Sequence, residues 1–281
     1  MRNKKTMNYY IFTVAVFLFF ACNKQNTSYN QSKIHTSTDV QLLESSSQQD
    51  VSDNEMFSNM MFSEELSNFF KDTRAIFDHQ LMNPESKYIN YQISYEKALN
   101  IGVYAVDLSY ANAYEQFGHC SKYLQSMMKL SNDLGIPYTF ITSINNNAKS
   151  INNSDSLYAY SKVLYNQTRE YLRANDQQYA SVLIVAGGWI EAMYIALKMA
   201  EQTASPQIIE KIANQKKSIE SVIQLLAKEN KNKTVAQFYL KLKDIQIKHN
   251  SFADNFNNQS GIEAFNELII AIEQLRSEIV M

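Results

Sequence analysis

Two acidic residues stand where the chain is otherwise apolar. Asp107 lies in "NIGVYAVDLSYANAY", residues 100–114, and Glu191 lies near the middle of "ASVLIVAGGWIEAMYIALKMA", residues 180–200. A carboxylate taken out of water without donors is costly, so each must be hydrogen-bonded, paired with a cation or kept neutral. A tyrosine hydroxyl, Ser109 or a basic side chain would serve as the partner of Asp107. Two buried acids on packed helices can also bind a cation or act as acid and base, which makes Asp107 and Glu191 the candidate catalytic residues. The competing reading, which carries more weight, is structural, because ion-pair networks perturb acids without any catalysis. Tyr104, Tyr110, Trp189 and Tyr194 lie within one or two helical turns of these acids and are the candidate ligand-binding residues. Helical cores use tyrosines and methionines such as Met127 and Met128 as filler as well.

Other chemistry finds less support. Glu115 and His119 are four apart, the spacing of one helix face, but no second such pair exists for a dinuclear bundle site. His79 and His249 are isolated in sequence, and His35 lies in a polar N-terminal stretch. His119 and Cys120 are adjacent, about 100° apart on a helix, without the spacing of a thiolate metal site or a cysteine–histidine pair. No metal and no cofactor is therefore expected. Phosphate-binding glycine loops, GxSxG, HExxH and EF-hand patterns do not occur. Asp155-Ser156-Leu157 matches a short O-glycosylation pattern that arises easily by chance.

The elements that would position these residues read as helices. Six glycines and three prolines in 281 residues leave few sharp turns for a β-rich fold. The expected architecture is all-α, a single bundle of roughly 6–9 helices over residues 56–281. Two central apolar helices fall at about 94–117 and 178–203. Leu66, Phe69, Phe70, Phe77 and Leu81 predict a first helix, begun at Ser63 and stopped by Asn83-Pro84. A second helical region runs from Ser94 to Leu134, where Gly135 and Pro137 end it, and Gly118 kinks or divides it. Ser154 opens a helix carrying Leu157, Tyr160 and Leu164. Ser205-Pro206 predicts a capped start with proline at the first position, followed by Ile208 to Leu226. Val235–Ile247 and Gly261–Ile279 complete the set. The apolar stretch from Ala180 is long enough to cross a membrane, but Glu191, Lys198 and the Gly187-Gly188 pair favour a core helix. The two glycines imply close approach of a neighbouring backbone.

The N-terminus sets the expected address. Arg2, Lys4 and Lys5 precede an apolar run from Ile11 to Ala21, shorter than the about 20 residues of a membrane span. "FFAC", ending at Cys22, resembles the lipobox of bacterial lipoproteins, with Phe19 and Phe20 departing from its usual residues. That resemblance implies a signal peptide over 1–21 and acylation of Cys22, including palmitate. A polar tether then covers 22–55, rich in Asn, Ser, Gln and Thr. Removing the three leader bases from 26 leaves 23 against 28 acids, a mildly acidic chain that argues against nucleic-acid binding. Cys120 remains as one thiol and can form no internal disulfide.

The stretches "NPESKYINYQISYEKALNIGVYAVDLSYANAYEQ", "YLQSMMKLSNDLGI" and "AGGWIEAMYIA" resemble a group of uncharacterised all-helical lipoproteins of Bacteroidota-type bacteria. Those proteins share a "GVYxxDLSYA … KLxxDLGI" pattern over residues 62–280, with Val106 a departure. The resemblance implies an outer-membrane lipid anchor and a helical domain, but no activity. Surface-bound members often carry acids just after the cysteine. Asn23-Lys24-Gln25-Asn26 has none, which implies a periplasm-facing position. The expected function is a non-enzymatic binding or scaffold domain in the cell envelope, with an envelope protein or small molecule as partner. The alternative is an envelope hydrolase or lyase using Asp107 and Glu191.

Overall fold

The apolar segments that lack polar faces become the centre of the molecule. A computed structural model describes residues 64–72, 75–137, 163, 167, 168 and 170–281. Nine helices and no strand occur among the described residues, so the chain is an all-α bundle. In chain order, α1 is Glu64–Asp72, α2 Ser94–Ala113, α3 Phe117–Asp133, α4 Gln178–Thr203, α5 Pro206–Ala213, α6 Lys216–Lys228, α7 Lys233–Asn255 and α8 Gln259–Val280. A further helix ends at residues 170–174, ahead of α4. Two short 3-10 turns, His79–Leu81 and Glu85–Asn90, lie in the irregular strap between α1 and α2. All of these residues belong to one compact unit, Ser46–Met281.

Helices α2 and α4 form the central pair, and the backbone explains how they come so close. A Cβ on Gly102 would stand 1.9 Å from the carbonyl oxygen of Ile184, and one on Gly187 would stand 2.1 Å from that of Leu99. Neither position admits a side chain, so the glycines trade helix propensity for backbone contact. The expectation drawn from Gly187 holds, and Gly102 is its counterpart on the facing helix. Helix α4 meets the length and apolarity of a membrane span, yet 83% of its apolar window is buried inside the protein. Around this pair, α3 packs on α2, α8 and α6 pack on α4, and α7 packs on α6 and α8. On α7 the buried positions Val235, Phe238, Leu242, Ile245, His249 and Phe252 follow the three-four spacing of a seam between helices.

Several expected boundaries move, for local reasons. The region from Ser94 to Leu134 divides at Glu115 rather than at Gly118, so the first central helix stops at Ala113. Glu115 has φ 58°, its N–H bonds Asn112 O, and the Gln116 N–H reaches back to Ala111 O. That is a Schellman stop with glutamate where glycine is usual, and Gly118 merely sits in α3. Glu115 therefore lies outside any helix and shares no helix face with His119. Gly135, at φ 86°, ends α3 by the same pattern, as expected. The first helix ends at Asp72, and Phe77 and Leu81 belong to the strap instead. Asn214 and Gln215 split the run from Ile208 to Leu226 into α5 and α6. Pro206 does open α5, but the Ser205 hydroxyl bonds Gln207 and caps nothing. Cys22, the leader, the tether, Ser63, Ser154, Ser156, Leu157, Tyr160 and Leu164 lie outside the described residues.

Candidate functional site: a buried carboxyl pair and its arginine

Asn100, Tyr104 and Asp107 follow one another at i, i+4 and i+7 on α2, a spacing that puts all three on one side of the helix. Opposite them α4 presents Glu191. Both acids are fully buried, at 0% exposure. Glu191 is paired by Arg276 of α8 through two hydrogen bonds: Nε donates to Oε2 at 2.9 Å and Nη2 to Oε1 at 2.9 Å. The same Nη2 donates to Leu81 O at 3.2 Å, and the guanidinium lies 4.4 Å from the Tyr194 ring centroid. A two-toothed arginine–carboxylate contact stacked on an aromatic ring is the geometry that best offsets removing both charges from water. Burial alone would lower the Arg276 pKa, but the Glu191 charge and its hydrogen bonds outweigh that and hold it above its usual range.

Asp107 has a different environment. Its Oδ2 accepts from the Asn83 backbone N–H at 3.1 Å, while Oδ1 is buried with no donor. Burial, and then the Glu191 charge, push its pKa well above the usual carboxylate range; Arg276 and the Asn83 N–H oppose this without reversing it. Two carboxyl groups here share one arginine. A proton on Asp107 gives its carboxyl a donor toward Glu191 and leaves the three groups neutral in sum.

The strap is sewn into this network by side chains. Asn83 Nδ2 donates to the Tyr91 hydroxyl at 2.9 Å and to Asn100 Oδ1 at 3.2 Å. Tyr123 donates to Asn83 O at 2.9 Å, and Tyr104 donates to Pro84 O at 3.1 Å. Asn100 Nδ2 reaches Ile279 O, and Lys87 reaches Val280 O. Backbone groups that no helix satisfies are thereby satisfied at depth. Burial raises the Tyr104 and Tyr123 hydroxyls well above their ordinary range, so both remain neutral donors.

The sequence candidates thus separate. Asp107, Glu191, Tyr104 and Tyr194 belong to one network. Tyr110 lies apart, accepting from the Asp78 N–H at 3.0 Å within a ring cluster of Phe70, Phe77 and Tyr114, its hydroxyl pushed up to about 12 by burial. Trp189 donates to Ser218 of α6 at 2.9 Å. Ser109 bonds its own helix at Ala105 O and is no partner of Asp107. Arg276, Asn83 and Asn100 escaped the sequence reading. Arg276 stands four residues after Ile272 and three before Ile279, both buried, so it interrupts the apolar stripe of α8, and that is the signal that marks it.

Elsewhere, burial pushes the Cys120 thiol up to about 12, and its sulfur faces Leu108 O at 3.8 Å, the state of an inert core thiol. The His79 and His119 rings lie 6.4 Å apart, but among the described residues no three His, Cys, Asp or Glu side chains converge to hold a metal. The fold and the site define a helical bundle built around a buried, arginine-paired acid cluster. No protein-family model matches the chain, and no curated protein and no solved structure matches it either.

Proposed function

We propose that the protein is a lipid-anchored, periplasm-facing envelope lipoprotein whose helical bundle is a non-enzymatic binding or scaffold domain. One observation carries the non-enzymatic part. The two acids that a hydrolase or lyase would require are fully buried, and their available oxygens face Arg276, the Asn83 N–H and each other. A general acid must reach the proton it transfers, within hydrogen-bond distance or through one water. A carboxyl pair closed over by the strap supports a role in holding the bundle together. The anchoring part rests on the leader and Cys22, where several acyl chains, at about 0.8 kcal/mol per buried methylene, would hold the chain on a bilayer.

Two measurements test the halves separately. A fatty-acid probe fed to cells should label the wild type and miss Cys22→Ala, which should also leave the membrane fraction; labelling that survives the substitution ends the anchor reading. Thermal melts with and without a periplasmic extract test the other half. Any ligand-induced rise in Tm should persist in Asp107→Asn, whereas its selective loss from a variant that folds normally would return Asp107 to a binding or catalytic role.

A further inference from the structure

We propose that the outer face of the α7–α8 hairpin pairs with the same face of a second copy, about a two-fold axis running parallel to the two helices. The face combines features that a solvated helix pair does not need. Leu240 and Ile270, 66% and 54% exposed, edge an open groove between the helices, and Ile247, 67% exposed, lies two turns along α7 from Leu240 on the same side of that helix. Its charges are segregated by helix, with Lys241 and Lys248 on α7 and Glu267 and Glu278 on α8. Asp244 is the exception on α7, beside Lys248.

The register of the hairpin selects the symmetry. Phe252 packs on Phe265 and Lys241 bonds Glu278, so the helices are antiparallel and Ile247 lies level with Ile270. With the axis parallel to the helices, α7 of one copy covers α8 of the other at the same height. Ile247 then meets Ile270, Lys241 meets Glu278 and Lys248 meets Glu267, each contact made twice. An axis across the helices would instead lay α7 on α7 and α8 on α8, bringing Lys241 to Lys248 and Glu267 to Glu278. Like charges in register cost enough to reject that pairing, so the charge pattern permits one closed dimer and disfavours the other. The 22 residues of α8 extend about 33 Å, and two helices 8–10 Å apart present a face roughly 20 Å wide. That is about 650 Å² per copy, somewhat under the ~800 Å² of a standard interface and suited to a reversible dimer.

The test uses the full chain, carried as two differently tagged copies in one bacterial host. One copy bears Ile247→Cys and the other Ile270→Cys, and the unsubstituted chain sets the background. Mild oxidation should give a mixed-tag disulfide dimer, well above that formed by Ile247→Cys with itself. Lys241→Glu/Lys248→Glu in both copies should reduce the mixed dimer by roughly tenfold or more. Glu267→Lys/Glu278→Lys in both copies should do the same. Combining the first reversal in one copy with the second in the other restores opposite charges at every contact and should restore the dimer. Circular dichroism of each variant should match the wild type, since all of these residues are exposed or half-exposed. Absence of a mixed dimer, insensitivity to charge reversal, failure of the combined reversal, or disulfides from Ile247→Cys only to another protein would each overturn the proposal.

Discussion

At the scale of single residues the three charged groups differ in what they do for stability. Arg276 is the counter-charge of Glu191, and removing one member of that buried pair strands the other. Arg276→Met should lower the unfolding free energy by about 3–5 kcal/mol. Arg276→Met/Glu191→Met should regain most of that loss, and urea denaturation of the two variants checks both statements. Asp107 acts with the opposite sign to an ordinary paired carboxylate. Its pKa is raised in the fold, while the unfolded side chain ionises near about 3.9, so folding takes up a proton. The stability it contributes is full below about pH 4 and is lost as pH rises toward its folded pKa, by up to about 1.4 kcal/mol per pH unit. Asp107→Asn does not titrate and keeps an acceptor for Asn83 and a donor toward Glu191. Measured from pH 4 to pH 7, its stability should rise relative to the wild type. Asp107→Ala should lose about 1–3 kcal/mol at pH 4, where the wild type has its proton; an alanine variant as stable as the wild type would mean that the network holds nothing. Asp107 and Glu191 were legible in sequence because a charge in an unbroken apolar run has no innocent explanation. Arg276 was harder to see, since a basic residue in an amphipathic helix looks solvated until its register on the buried stripe is worked out.

Among the elements, the central pair and the strap use contrasting means to the same end. Helices α2 and α4 satisfy their own backbones and gain stability by touching. Gly102→Ala would drive a methyl into the Ile184 carbonyl, a backbone atom that cannot move aside, and should cost about 3 kcal/mol or more by denaturation. The strap has no ladder of its own and relies on Asn83, Asn100, Tyr104 and Tyr123. Asn83-Pro84 illustrates why its role was hidden. The dipeptide reads as a helix stop, and it does lie outside the α-helices, but nothing in its local sequence reveals that Asn83 will serve four residues at once, Asp107, Tyr91, Asn100 and Tyr123. The Glu115 turn was hidden for another reason: a left-handed residue is expected to be glycine, and Gly118 stands close enough to attract the assignment. Glu115 is exposed, so Glu115→Gly relieves the left-handed strain without removing packing. It should raise stability by about 1 kcal/mol, read as an increase in denaturation midpoint.

For the whole molecule, the helical class followed from the scarcity of turn residues and the placement of helical periods. The order of packing did not, because helical periodicity marks which face of a helix is apolar and not which neighbour covers it. What the sequence order does impose is a schedule. Glu191 and Arg276 are 85 residues apart, and Asp107 precedes both. A chain emerging from its amino end therefore presents the Glu191 carboxylate long before the cation that neutralises it. The strap waits as well, since Leu81 O, Asn100 and Lys87 all find partners at or beyond residue 276. Until that part arrives, closing the core would bury uncompensated charge, so the partial chain should remain open. Pulse proteolysis of chains halted at residue 270 should find them degraded rapidly, and chains of full length protected; protection of the halted chain would refute the schedule. For the exported lipoprotein proposed above, delayed closure would suit a chain threaded through a narrow channel before it folds. The late arginine would then work as a timing element, keeping the chain pliant until its last residues are in place.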